Sequence, residues 1–541
     1  MRLLPVAAAV LSLVAPLAAH LPEVQERRLG NGLRVLAVAR PGSGAVHALW
    51  AVRGGAADTG ALPPVAAEAL AQCLFNPAGP GDLGRLEGLE DLLRAEEGAF
   101  EALRLARLRR AGPEAEAREQ EALRVHHVNT RARLEAALGD APAVASAGWA
   151  EADLLGGGVD LAPGALQTWL RTEAERFRRL TLSGYPGVRD RLLASVEGPG
   201  GAQRRALDAL LTAALPGEAY GRVAAAPREA LEGLGWSALR TWARRLVVPE
   251  RLHLVLVGDL DLEALVPVLE ATLGSLPEVR GATGSERSTG IPEPVGARRL
   301  QASLAVEPQL AAAWRIPSGS HPDHPALELL AHALATRLKE RFQAPERPLA
   351  SEVEVACGLP GLRDPGLFLI RLRPAPGQGL AALEEALRSE QVRLQREAFP
   401  EEALRRAQRQ LEAAQLQVQE GASALAVALA RAQVQQGDWR RAFRFRTLGR
   451  DLGAPEIQAV VRTYLLPERA TTVLLEPDPL LAPQDPLEAR LLEVLRKLVQ
   501  RQVSDPAQAD GIVREALRQL RMLTLAEREQ TLKLLQGQVK P

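Results

Sequence analysis

The sequence predicts an α+β protein made of two similar domains, and three observations carry that reading. Strand signals and amphipathic helical stretches both occur on each side of the chain's midpoint. Residues 278–297 are rich in Gly, Ser, Thr and Pro and lack periodicity, which marks a linker. The layout before the linker is echoed after it: the strand run from Pro249 to Val257 has its counterpart in Tyr464 to Leu475.

Composition bounds the rest. At 541 residues the chain is too long for one domain, and an apolar content of 47% supports substantial cores. Lys plus Arg and Asp plus Glu both number 66, so the formal net charge is zero and no nucleic-acid partner is indicated. Arg2, the apolar run Leu3–Ala15 and the small residues Leu17-Ala18-Ala19 read as a signal peptide over 1–19. That run is too short to span a bilayer, no other transmembrane segment is expected, and the mature chain is expected in a periplasm or outside the cell. Cys73 and Cys357 are the only cysteines, and their apolar surroundings predict two buried thiols rather than a bridge.

The elements follow in order. Asn31-Gly32 is a hairpin signal ahead of the alternating run Leu33–Val38, and His47–Val52 is a second strand. Val65–Phe75 reads as a helix. Residues 82–138 read as an inserted helical hairpin, with Leu86, Leu89, Leu93, Phe100 and Leu103 on heptad positions, Glu96 as the exception, and a break at Ala111-Gly112-Pro113. His126-His127 on this insert reads as a surface pair. Gly156-Gly157-Gly158 is expected to weaken the strand that contains it. Trp236–Arg245 is amphipathic, Pro249–Asp259 is a buried-strand signature ending in Gly-Asp, and Asp261 opens a helix reaching about Leu273. Past the linker come a strand at Ala311–Ile316, a helix at Ala326–Phe342, a strand at Pro365–Leu372, a long helix from Pro400, and a strand at Thr471–Leu475. After Pro477–Pro486 two amphipathic helices, Leu487–Val503 and Ala507–Gln538, form a tail.

The order Arg53-Gly54-Gly55-Ala56-Ala57-Asp58, then Val65-Ala66-Ala67-Glu68-Ala69-Leu70-Ala71-Gln72-Cys73-Leu74-Phe75, resembles the insulinase/pitrilysin-type zinc peptidases. Their inverted H-x-x-E-H helix ends in a short apolar run, here Leu74-Phe75. The opening Leu29–Leu33 and the strand ending Gly258-Asp259 agree with that family, and the resemblance covers about residues 26–478. It implies two homologous domains, 20–277 and 298–478, each an antiparallel-dominated sheet with helices packed on one face, together forming a clam-like cavity. Residues 479–541 would be a helical extension.

The chemistry of the family is missing at the matching positions. Glu68 stands at the first zinc ligand, Ala71 at the catalytic glutamate and Gln72 at the second ligand. A catalytic zinc needs three protein ligands and an open water position, and a carboxylate base beside it. Gln72 is a neutral amide and Ala71 accepts no proton. Spacing from Asp190 places Glu197 at the third ligand. In the substrate-edge strand, Ala147 and Ala150 replace the family's Asn and Thr, while Asp153 is kept. The Arg and Tyr that hold the substrate carbonyl in active relatives fall on Ala344 and Ser351. His321-Pro322-Asp323-His324 reads as the structural turn that precedes the second domain's helix.

The resemblance therefore implies a non-catalytic, peptidase-like chain without a cofactor. Its partners would be an active homologous subunit, or a second copy, and a peptide or unfolded polypeptide. Two alternatives stay open: a zinc endopeptidase with a rearranged site using Glu68 and Glu197, and a stand-alone peptide-binding or chaperone-like protein.

Overall fold

The computed structural model describes residues 22–75, 89–108, 120–129, 148–196, 199–224, 228–278, 296–304, 307–447, 452–477, 486–503 and 506–539. The signal segment 1–19, Leu86, Ala147, Glu197 and most of the linker lie outside them.

The first domain is a sheet with strand order β1-β2-β6-β3-β5-β4. Its strands are β1 (Gln25–Arg28), β2 (Arg34–Ala39), β3 (Val46–Arg53), β4 (Trp149–Ala150), β5 (Leu154–Leu161) and β6 (Leu252–Gly258). Only the β2–β6 pair is parallel. The Asn-Gly signal is the β1–β2 turn: Gly32 takes a φ of 90°, and the Asn31 amide donates to the carbonyls of Leu273 and Leu276. The helices are α1 (Val65–Phe75), α2 (Leu89–Leu108), α3 (residues 120–129), α4 (Leu166–Arg179), α5 (Tyr185–Val196), α6 (Pro199–Ala214), α7 (Trp236–Leu246) and α8 (Leu262–Thr272). Asp261 caps α8 by accepting from the amides of Glu263 and Ala264. One sheet face, with Val35, Trp50, Leu155 and Leu254, packs on α1, α4, α7 and α8.

The second domain repeats the scheme with order β7-β11-β8-β10-β9. Its strands are β7 (Arg298–Leu304), β8 (Gln309–Ile316), β9 (Ala350–Leu359), β10 (Gly366–Pro374) and β11 (Thr471–Pro477). The last strand in sequence again enters parallel to an early one, β11 beside β7 as β6 beside β2. Its helices are α9 (His324–Phe342), α10 (Leu380–Arg396), α11 (Glu401–Glu420), α12 (Ala422–Gln436) and α13 (Ala454–Tyr464). Trp314, Phe368 and Ile370 pack with α9, α10 and α13 on one face.

The opposite face of each sheet is covered by a helix of the other domain. Leu425, Ala426, Leu429 and Ala430 of α12 pack on Leu36, Leu49, Leu154 and Val255 of the first sheet. Ala206, Leu210, Leu211 and Ala214 of α6 pack on Ala311, Leu367, Leu369 and Val473 of the second. The expected clam-like cavity is thus not an open gap between the two sheets of this chain. Both inner faces are apolar, and exchanged helices seal them.

A buried polar node joins the domains where the β9–β10 turn enters the first domain. Asp153, fully buried at the start of β5, accepts from the Leu362 and Arg363 amides at 2.9 and 3.1 Å and from the Tyr220 hydroxyl at 2.6 Å. The Arg363 guanidinium donates to both oxygens of Asp58 at 2.7 Å. Burial, with Asp153 alongside, raises the Tyr220 phenol well above its ordinary range, so it stays a donor.

Three sequence expectations need correction. The triple glycine does not weaken β5, which pairs with β3 along its whole length. The glycines are what neighbours require: a Cβ at Gly156 would lie 2.3 Å from the Trp149 ring, at Gly157 2.2 Å from Phe75 Cβ, and at Gly158 2.8 Å from His47 Nε2. His127 is not a surface residue: its side chain is 14% exposed, with Nδ1 3.3 Å from Glu96, which is itself 1% exposed. The odd heptad residue and one histidine therefore meet inside the hairpin. The tail has three helices, α14 (Pro486–Gln502), α15 (Pro506–Arg521) and α16 (Leu525–Val539), with a core of their own. Thr524 and Glu527 form a capping box that starts α16 and splits the expected second helix. The two cysteines are free, as expected, but half-buried rather than fully buried, and they pack against different domain cores.

Replacing Asp153 with Ala strips the partner from two amides and a hydroxyl and is expected to cost about 3 kcal/mol in urea unfolding. Asp190→Ala, on an exposed side chain, should stay within about 0.5 kcal/mol. Acid should destabilise the fold through two histidines. Burial lowers His253 to about 3, helped by Arg53 and Arg34, and lowers His324 to about 3, helped by Arg444. Because the folded values lie below the ordinary 6.5, their stability is full above that pH and is lost as pH falls toward 3. His253→Leu should flatten the slope of unfolding free energy across this window by about 1.4 kcal/mol per pH unit.

Candidate functional site

Helix α1 buries eight of its residues and leaves Glu68, Gln72 and Cys73 partly exposed. Glu68 and Gln72 are four apart, so the two positions that the resemblance aligns with zinc ligands share one face, as the inverted motif requires. Ala71 is fully buried. The chain at Gly148 runs against its carbonyl, and a Cβ there would lie 2.2 Å from Ala71 O. That close approach sets the short strand β4 alongside α1.

A cation already occupies the Glu68 carboxylate. Arg204 Nη2, on α6, donates to Glu68 Oε2 at 2.9 Å, with the two side chains 36% and 29% exposed. Asp208, one turn further along α6, has its carboxyl pushed up by burial. Cys73, next to Gln72, has its thiol pushed up by burial against a smaller opposing pull from Arg191, so it stays protonated and supplies no thiolate ligand. Among the described residues no group of three or more His, Cys, Asp or Glu is placed to hold a metal ion. The zinc that the family implies does not fit this donor set: one carboxylate is neutralised by arginine, the second position is a neutral amide, and the base position is a methyl group.

The other expected positions are scattered. Asp190 is on α5 with its side chain 71% exposed, 3.8 Å from the Arg189 guanidinium. Ala344 lies in the turn after α9, where its carbonyl accepts from the Arg347 amide. Ser351 is the second residue of β9, and its hydroxyl donates to the Pro374 carbonyl at 3.1 Å. Neither brings a charge or a phenol. His321-Pro322-Asp323-His324 is structural, with Asp323 accepting from the Tyr464 hydroxyl at 2.7 Å just before α9.

The edge of the first sheet differs from that of the second. Strand β9 pairs with β10 over nearly its full length, whereas β4 pairs with β5 only through Trp149 with Gly156 and Ala150 with Leu155. Among the described residues the outer edge of Gly157–Leu161 carries no strand. Trp149 lies on Gly156, the Arg431 guanidinium is 5.7 Å from the Trp149 ring, and Arg431 Nε donates to Glu151 at 2.8 Å. Gln435 donates to the other Glu151 oxygen at 2.9 Å. The second domain thereby holds the short edge strand in place. Sequence reading named neither Arg204 nor the Trp149–Arg431–Glu151 set. An arginine on a helix carries no local signal of its distant partner.

The fold is that of the M16, insulinase-type peptidases, and residues 237–411 match the family model described as the peptidase M16 inactive domain. A protease from Helicobacter pylori superposes with a TM-score of 0.63 at 17% identity, over 84% of this chain and 100% of that one. A peptidase M16 inactive domain from Pseudomonas fluorescens gives 0.62 at 15%, over 84% and 98%. The periplasmic protease PqqL from Escherichia coli gives 0.57 at 13%, over 91% of this chain and 50% of that one. No curated protein matches the chain significantly in sequence.

Arg204→Ala should lower stability by less than about 1 kcal/mol, because the pair it breaks is partly exposed. It should not create zinc binding, which dialysis against zinc followed by metal analysis would read.

Proposed function

We propose that this chain is a non-catalytic M16-type protein that binds peptide or unfolded polypeptide and serves as the accessory subunit of an active homologous peptidase in the periplasm. The observation that carries the reading is the Glu68–Arg204 pair beside Ala71 and Gln72. Among the described residues a metal would have to displace Arg204 to reach the Glu68 carboxylate, and the base position is the methyl of Ala71.

Two features support the binding role. Among the described residues no strand pairs with the outer edge of Gly157–Leu161, where an extended peptide would add as in strand addition generally. The chain also spans half the length of PqqL, which fits a working unit built from two such two-domain segments. Export through the segment 1–19 agrees with the location of that neighbour.

The test is zinc content and peptidase activity of the purified mature chain, alone and mixed with an intact H-x-x-E-H homologue encoded beside it. No zinc and no turnover alone, with enhanced turnover in the mixture, is the expected result. Stoichiometric zinc with turnover by the isolated chain would replace this reading with the rearranged zinc enzyme. Peptide binding that is indifferent to any homologue would favour the stand-alone binding protein.

A further inference from the structure

The helical layer of the second domain carries a cleft remote in sequence from α1 and independent of the reading above. Its volume is about 340 Å³, at the lower end of the range for small-ligand sites. It opens between α9, the end of α10 and the start of α11. Ala333 on α9 and Ala403 and Ala407 on α11 leave the two packed helices short of filling side chains there. The floor is apolar: Ala333, Ala407 and Phe399 are 4%, 1% and 4% exposed.

The rim is charged and incompletely paired. It carries Arg337, Arg393 and Arg406 with Glu340 and Glu397, and Glu390 and Glu402 stand against Arg337 and Arg406. Arg406 lies 3.9 Å from Glu340 and 3.8 Å from Glu402, and Arg393 lies 3.9 Å from Glu397. All three distances exceed a hydrogen bond. Arg337 is held differently: its Nε is 2.6 Å from Glu390, which is 1% exposed, and its guanidinium lies 5.2 Å from the Phe399 ring. One arginine is therefore fixed over the floor, while two others keep their donors at the mouth.

We propose that this cleft binds the C-terminal residue of a peptide that carries an apolar side chain. Guanidinium forks at Arg393 and Arg406 match a terminal carboxylate, and charge-assisted bonds of this kind are the strong ones. The terminal amide N–H is a donor for Glu340 or Glu397. The side chain rests on Phe399 and the alanines. A plain carboxylate satisfies the arginines and the floor but offers neither glutamate a donor.

Calorimetric titration of the full chain with N-acetyl-leucyl-phenylalanine, its C-terminal amide and 3-phenylpropionate tests this. The acid should bind saturably, the amide at least about tenfold more weakly, and phenylpropionate more weakly than the acid. The double variant R393A/R406A, on exposed side chains, should keep the wild-type melting temperature and lose about tenfold in affinity for the acid. Equal binding of acid and amide, unchanged binding by the double variant, or no saturable binding of the acid would overturn the proposal. Binding of phenylpropionate equal to that of the acid would overturn the peptide assignment and leave a site for small carboxylates. None of these readouts depends on zinc or on a peptidase partner.

Discussion

The architecture depends on one buried carboxylate. Asp153 is fully buried and receives two backbone amides from the second domain and a phenol from the first. Such a group is costly to bury unless its lone pairs are satisfied, and two of its donors, the Leu362 and Arg363 amides, arrive when the β9–β10 turn is seated. Arg363 then reaches Asp58 on the far side of the same turn. This fixes the ends of β3 and β5, and with them the start of the segment that leads into α1. The geometry of the degenerate site is therefore inherited from a contact between domains.

Much of the fold was legible in the sequence because it is written in local patterns. The Asn31-Gly32 turn, the all-buried β6 run, the Asp261 cap and the repeated strand after the linker are short-range signals, and each element stands where they put it. What was not legible depends on tertiary partners. The glycines of β5 look like strand breakers until Trp149, Phe75 and His47 are seen to occupy the space above them. Glu96 and His127 are unremarkable singly and make sense only as a pair across the hairpin. Helix exchange between domains leaves no mark at all, since an apolar stripe does not say whose sheet it will cover.

The site divides in the same way. The match of Glu68 and Gln72 to the ligand positions and of Ala71 to the base position of the resembled motif is a statement about residue types at fixed spacing, and the structure sets the three on one helix with Glu68 and Gln72 sharing a face. The arginine that neutralises Glu68 comes from a helix more than a hundred residues later, and only folding reveals it. Arg204 belongs to the same helix, α6, whose other side covers the second domain's sheet. The ion pair at Glu68 and the seal on the neighbouring domain thus share one rigid element.

That reciprocal covering has a consequence for the chain's modularity. Each domain, taken alone, would expose a full apolar sheet face and carry a helix with nothing to lie on. Cutting the chain at the linker would therefore not yield two smaller proteins but two aggregation-prone fragments, each missing a piece held by the other. The duplication visible in the topology is not a pair of beads on a string. The two copies have become a single cooperative unit, and the smallest piece that can be inherited, secreted or assembled intact is the pair.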